Sequence, residues 1–358
     1  MSLPASIAAE GGPGRIAAGF GWRARVLAAM AALGVAAFLA ELAFGPVRLT
    51  LDDMSAALLG EAPAAAQAIF AEIRAPRALL AALVGAALGL SGTCLQGVLR
   101  NPLADPGLIG VSAGATVGAV TVIVLGDLVF GGAPLFLRPF LLPVAAFLGA
   151  AAAAAFVFSI ARGREGVSVA TVILAGVAVN AIAGAFIGAM VYVSDDRQLR
   201  ELTFWTMGSV GGARWAVVLP TLLFAVPAAA MLARSARALG LFQLGERAAC
   251  HSGVDVEREK LRIGLFTALA VGAATAAAGP IGFIGLVAPH VSRLLIGPNH
   301  AFILPGAALV GAALTLGADL LVRTAAPPAE PPIGLATALI GGPFFLWLIV
   351  ARMRRADA

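Results

Sequence analysis

Charge is what this sequence lacks most. Of its 358 residues only 12% are Asp, Glu, Lys or Arg, about half the share of a soluble domain, which excludes a soluble enzyme. Nineteen acids and 24 bases are also too few for a soluble domain set between apolar segments. Cysteine is nearly absent. Cys94 lies in an apolar run and Cys250 in a polar stretch, so there is neither a disulfide framework nor a CxxC metal spacing. Lysine occurs once, as Lys260, and the remaining bases are arginines spread singly. The formal charge of +5 therefore reads as anchoring of loops at a membrane surface, with no nucleic-acid partner. No GxxxxGK[ST] phosphate loop, HExxH or GxSxG motif occurs, and His251, His290 and His300 lie too far apart for a local metal signature. No catalytic residue and no metal ligand is assigned. Ion-coupled secondary transport places acids in mid-span, but Glu41 and Asp319 each fall near the end of an apolar run.

What is present is hydrophobicity. Sixty per cent of the chain is apolar, enough for about ten spans of about 20 residues. Apolar runs fall near 24–44, 77–99, 107–125, 137–161, 167–193, 215–233, 261–278, 280–296, 301–322 and 333–351. The expected fold is all-α, a polytopic membrane protein of about ten transmembrane helices. Residues 1–23 read as an N-terminal arm, 24–351 as the membrane domain and 352–358 as a tail, with a charged loop at about 234–262. The arm has no cleavage site after a short apolar core, so the first run is expected to be a retained helix. With both termini inside, the inner loops hold 16 of the 24 bases and the outer loops eight, which places the termini in the cytoplasm.

Several runs are threaded with Gly and Pro. Two stretches resemble each other, Pro106-Gly-Leu-Ile-Gly-Val111 and Pro280-Ile-Gly-Phe-Ile-Gly-Leu-Val287, and they open the third and eighth runs from opposite faces. Two inverted repeats of about five helices give that pattern. Close helix packing is the other reading, because Gly85, Gly89 and Gly92, like Gly279, Gly282 and Gly285, let backbones approach.

A longer set of motifs carries a family resemblance. Arg74-Ala-Pro-Arg77 with the following Gly-rich run, Gln96, Asn101-Pro-Leu-Ala-Asp-Pro-Gly107, Leu174-Ala-Gly-Val177, Phe204-Trp-Thr-Met-Gly-Ser209, Leu244-Gly-Glu246, Gly279 to His290, Pro332-Ile-Gly334 and Gly341-Gly-Pro-Phe344 stand in one order. Together they resemble the permease subunit of the iron-siderophore, haem and vitamin B12 ABC importers, over about residues 70–350. The resemblance implies a type II importer permease in the inner (cytoplasmic) membrane that works as a homodimer with its pathway on the dimer axis. It also implies two cytoplasmic ATPase subunits, which hold ATP and Mg, and one periplasmic substrate-binding protein. No cofactor is expected on this chain; haem or another iron chelate is the transported substrate.

By the same resemblance Arg74, Arg77 and Arg323 dock the binding protein, where a guanidinium fork suits a Glu side chain. Snorkelling interfacial anchors are the plain alternative. Leu244, Gly245 and Glu246 fall in the element that couples to the ATPase; otherwise the loop is a solvated basic segment. Ser168 and Val169 align with the cytoplasmic gate, although Val169 lacks the polarity usual there and a Ser before a helix also serves as an N-cap. His290 fits a structural role better than an iron ligand, and Met190 and Met207 suit either packing or soft contact with a porphyrin. The Phe204–Gly212 stretch looks closest to the haem importers; ferric siderophore and cobalamin stay open, as does a secondary transporter from another class.

Overall fold

The computed structural model describes residues 13–356 apart from 46, 48, 133, 135–136, 164–165 and 326–329. Residues 1–12 of the expected arm, 357–358 of the expected tail, and Arg48 and Arg164 of the charge count lie outside the described residues. In chain order the elements are α1 (Pro13–Ala43), α2 (Leu51–Leu59), α3 (Ala64–Ala68), a π-helical turn (Ile69–Arg74), α4 (Ala75–Val98), a 3-10 turn (Pro106–Ile109), α5 (Val111–Phe130), α6 (Arg138–Ala161), α7 (Val169–Val193), α8 (Asp196–Thr206), α9 (Trp215–Ala233), α10 (Ala236–Phe242), α11 (Glu246–His251), α12 (Val256–Ala278), α13 (Ile284–Ile296), α14 (His300–Ala325) and α15 (Ile333–Ala356). The sheet among the described residues is one small antiparallel pair, Arg162–Gly163 with Gly166–Val167.

Each apolar run falls on a helix, and eight of these helices are long and apolar enough to cross a membrane. The other two, at Ile284–Ile296 and Ile333–Leu348, are shorter apolar segments. The run expected at 280–296 shortens at its start, because Gly279 (φ +70°) and Phe283 (φ +67°) hold the chain out of helix until Ile284. Thirteen residues span only about 20 Å. α1 begins inside the expected arm: the backbone is helical from Pro13, with proline at the position that lacks a helical acceptor anyway.

The second span starts earlier than its hydropathy suggests, with helix continuing from Ala64 to Val98. Pro76 has no N–H to give to a carbonyl one turn back, and its ring crowds that turn. The chain relieves this by widening to a π turn just before it, where the Ala75 N–H reaches Phe70 O, five residues back. α4 then runs through the centre of the bundle: 78% of its span is buried, against 22% for that of α7. Glycine makes this centre possible. A Cβ built at Gly85 would fall on the carbonyl oxygen of Gly311 in α14, and one at Gly92 on that of Gly285 in α13, so α4 meets both neighbours backbone to backbone. Gly282, by contrast, has no neighbour within 4 Å of such a Cβ and does no packing of this kind.

The two similar stretches hold like positions. Gly110 (φ +77°) precedes α5 and Phe283 (φ +67°) precedes α13, each in the left-handed region. They also meet, since a Cβ at Gly285 would lie 2.7 Å from Pro106 Cδ. Gln96 spans the junction, donating to Ala104 O at 3.2 Å and reaching Gly285 O at 3.5 Å.

Candidate functional site

α4 and α14 pack with opposite directions, so the start of α4 meets the end of α14 beside the end of α1. Arg77 uses its whole fork there. Nε and Nη2 donate to the two carboxylate oxygens of Asp319 at 2.7 and 3.0 Å, and Nη1 donates to Glu330 Oε2 at 2.7 Å. Arg323 pairs with Glu41 at 2.9 Å and also donates to that residue's main-chain carbonyl. Arg74 donates to the carbonyls of Leu42 and Ala43 at 2.6 and 2.8 Å, and to that of Val47, which ties the end of α1 to the π turn. The three arginines that the sequence presents as outward forks are thus brought to one end of the molecule, yet each is only 3–5% exposed. The reason is physical: a guanidinium that never deprotonates and lies among packed helix ends must find its acceptors inside the chain. Glu330, whose side chain is 41% exposed, is the one carboxylate in this cluster open to solvent.

At the same end Thr50 and Asp53 form a reciprocal capping box on α2. The N–H and hydroxyl of Thr50, both donating to its carboxylate, hold Asp53 below the usual carboxylate range.

α4 is 24 residues long, about 36 Å, and its far end meets a different assembly. α10 and α11 are the two short helices of the 234–262 loop, joined through Gln243–Gly245. Gln243 donates to Gly97 O at 3.3 Å, tethering α10 to α4. Leu244 is 74% exposed. Gly245 takes φ +115°, ψ 148° with nothing within 4 Å of a built Cβ, so the position demands glycine for its backbone and not for lack of room. Glu246 opens α11 and pairs with Lys260 at 2.8 Å and, more distantly, Arg100 at 3.9 Å.

Ser168 caps α7, its hydroxyl accepting from Thr171 N at 3.3 Å. It lines an open cleft of about 630 Å³ together with Val169, Thr171, Glu246, Glu257 and Lys260. Glu246 of the coupling set and Ser168 of the gate, 78 positions apart in sequence, therefore share one cavity. Burial pushes the Asp105 carboxyl up against the opposing effect of the Gly107 N–H that it accepts. Its neighbour turn is held by Asn180 of α7, which donates to Gly107 O at 3.2 Å.

His290 is buried with its ring edge-on to Phe344, centroids 5.8 Å apart, and no group of three or more His, Cys, Asp or Glu is placed to hold a metal among the described residues. Met207 is exposed beside Phe204 on α8, whereas Met190 is half-buried in α7 and gives its carbonyl to Ser194. Glu330 and Glu257 are the polar residues that sequence reading passed over, while Glu41 and Asp319 entered it only as poor candidates for ion coupling. Lys260 stood out there too, as the only lysine in a chain rich in arginine, without a role.

Comparison with known proteins gives a family for the chain. The model of the FecCD transport family matches residues 33–351. The hemin transport system permease protein HmuU of Yersinia pestis is 47% identical over 79% of this chain and 83% of its own length. The cobalamin import system permease protein BtuC of Halobacterium salinarum is 43% identical over 82% and 76%, and the iron(3+)-hydroxamate import system permease protein FhuG of Bacillus subtilis 35% over 91% and 96%. Among solved structures, an inward-facing metal-chelate type ABC transporter superposes with a TM-score of 0.80 at 31% identity, covering 91% of this chain and 99% of that one.

Proposed function

The chain belongs to the FecCD transport family and is an ABC importer permease; we propose that its cargo is haem, carried from periplasm to cytoplasm. The observation behind this cargo is the 47% identity to a hemin permease. The chemistry of the open face suits it: Leu174 and Tyr192 on α7, Phe204 on α8 and Met207 just after it are all exposed, a soft apolar lining for a flat amphipathic ring. The similarity to cobalamin and ferric-hydroxamate permeases supports ferric siderophore or cobalamin as the second reading.

The functional unit in this reading is a homodimer joined across that open α7 face, with the pathway on its axis. Both termini and the α10–α11 pair are cytoplasmic, in line with the excess of arginine on that side. Two ATPase subunits, which hold ATP and Mg, receive α10 and α11, with Leu244 as the exposed apolar contact and Gly245 setting the angle. Ser168 and Val169 form the cytoplasmic gate. One periplasmic binding protein docks on the Arg74, Arg77 and Arg323 end, where an incoming carboxylate replaces Glu330 on Arg77.

The test is to reconstitute the permease with its ATPase in liposomes and to load the binding protein with haem, cobalamin or a ferric hydroxamate in turn. Haem is expected to stimulate ATP hydrolysis and to accumulate inside. Stimulation by cobalamin or ferric hydroxamate without a response to haem replaces the cargo while leaving the permease assignment intact.

A further inference from the structure

Lys260 stands where the coupling element and the gate meet. Its ammonium lies 2.8 Å from Glu246 Oε2, 3.3 Å from the Val167 carbonyl and 3.5 Å from Glu257 Oε1. Glu257, one turn earlier on α12, accepts the Val167 N–H at 2.5 Å. Both polar groups of the Val167 backbone are therefore held by α12, and one of the two holders is also the partner of α11. Val167 is the residue immediately before Ser168.

The residue type fits this geometry. An ammonium offers three donors around one point, and here three acceptors from three parts of the chain converge on it. A guanidinium directs its donors into a planar fork, which cannot serve that arrangement, and this is the one position where a chain with 24 bases uses lysine. Lys260 is 7% exposed, while the Glu246 and Glu257 side chains are 44% and 40% exposed. The cation is fixed in place and its acidic partners open onto the cleft.

We infer that Lys260 is a positioning residue that delivers displacement of α11 to the Val167–Ser168 turn, so that ATPase movement reaches the gate through one ammonium group. This rests on the assignment of α11 to coupling and of Ser168 to the gate. When α11 shifts with the ATPase, Glu246 pulls on Lys260 and Lys260 pulls on the Val167 carbonyl. Without the ammonium, α11 moves and the turn does not follow. Removing it leaves two carboxylates that water can reach, so Lys260→Met is compatible with a folded chain.

The experiment uses the full complex with ATPase and binding protein in liposomes. A Cys250→Ser background removes the exposed thiol, and Ala170→Cys places a reporter on the exposed side of α7 two residues after Ser168. The rate of its modification by a water-soluble methanethiosulfonate reagent is measured without nucleotide and after trapping with ATP and vanadate, with trapped nucleotide quantified on the same sample. With Lys260 present the two rates are expected to differ by about fivefold or more, the lower end of ordinary coupling between sites. Lys260→Met is expected to trap nucleotide yet abolish that difference, and Lys260→Arg to restore less than half of it. Glu246→Ala, which leaves Lys260 in place but removes the acceptor that links it to α11, gives the same loss and serves if Lys260→Met does not fold. A full nucleotide response in Lys260→Met or in Glu246→Ala overturns the relay. A Lys260→Met complex that traps no nucleotide assigns Lys260 to ATPase attachment and overturns it as well. Absence of any response with Lys260 present overturns the gate assignment first, and the relay with it.

Discussion

The two ends of the bundle both gather charge, under opposite exposure. At the periplasmic end of the proposed orientation the Glu41 and Asp319 side chains are 0% and 2% exposed, and the arginines that bind them are sealed with them. At the cytoplasmic end Glu246 and Glu257 keep nearly half of their surface. Breaking a sealed pair strands a charge where water cannot reach it; breaking an open one lets water take the vacated place. The sealed cluster therefore suits a fixed clamp that ties α1, α4 and α14 together, and the open one suits contacts that must re-form during each cycle. Docking and coupling, equally plausible as arginine-rich rims in the sequence, are physically different kinds of site.

The largest effect that tests this contrast is Asp319→Ala. It leaves the Arg77 fork buried without its bidentate partner, at a cost of about 3–5 kcal/mol. Loss of monodisperse protein in mild detergent, or a strongly lowered unfolding midpoint, is the expected result. Replacing both partners by apolar residues of similar size, Arg77→Met with Asp319→Leu, is expected to recover most of that stability. If Asp319→Ala is as stable as the parent, the periplasmic cluster is no clamp and the comparison collapses.

The next effect lies at the other end. Gly245→Val meets no side chain, because the space is open; its cost is the backbone conformation, φ +115° with ψ 148°, about 1–3 kcal/mol. The strain is local to the joint between α10 and α11, so the bundle is expected to insert and fold as before. Each 1.4 kcal/mol is tenfold in an equilibrium, and uptake in reconstituted vesicles is expected to fall by about that factor as ATPase copurification weakens. Normal uptake with full ATPase retention returns the loop to a solvated basic segment.

These variants also mark what was legible in the sequence. The helices were, because 60% apolar content leaves few other ways to satisfy a backbone in lipid. Gly245 was singled out through the family resemblance, and the joint it makes between α10 and α11, at φ +115°, came with the fold. The partners of the arginines were not legible. Arg77 and Asp319 are 242 residues apart and Arg323 and Glu41 282 apart, and nothing local joins them. Those two acids drew attention only as poor candidates for ion coupling. Phe283 escaped because no composition signal announces a left-handed phenylalanine, and so the run beginning at residue 280 reads longer than the helix it contains. The cleft shared by Ser168 and Glu246 needed the fold, since the contact passes through Lys260 and the backbone of Val167.

A smaller effect sharpens the docking side. Glu330 is the exposed partner of Arg77, so Glu330→Gln removes the charge that competes for one edge of the fork while Asp319 keeps the fold intact. Exposed pairs are worth about 0.2–1 kcal/mol, and the binding protein is expected to associate about two- to fivefold more tightly, with a steeper dependence on salt. Association measured on immobilised permease decides it. Weaker binding in Glu330→Gln makes Glu330 itself the docking residue and leaves Arg77 purely structural.

The smallest effect concerns how far rigidity reaches beyond the sealed cluster, into α2 on the same face. Asp53 accepts from both the N–H and the hydroxyl of Thr50, and its own N–H returns to the Thr50 hydroxyl at 3.1 Å. Those bonds favour the charged carboxylate and hold its pKa below the ordinary aspartate range. The sign follows: a carboxylate depressed in the folded state stabilises its helix above the unfolded pKa, and the gain is lost as pH falls through the lower folded value. Because Asp53 is fully solvated, the loss is local fraying of α2 and leaves the bundle intact. Hydrogen exchange of a peptide covering residues 51–59 reads it directly, after correction for the intrinsic rate at each pH. The parent is expected to hold constant protection from neutral pH down to about pH 4 and to lose it below. Asp53→Ala starts from lower protection and shows no such step. A step that survives in Asp53→Ala belongs to another group, with Asp52 in the same first turn the next to replace.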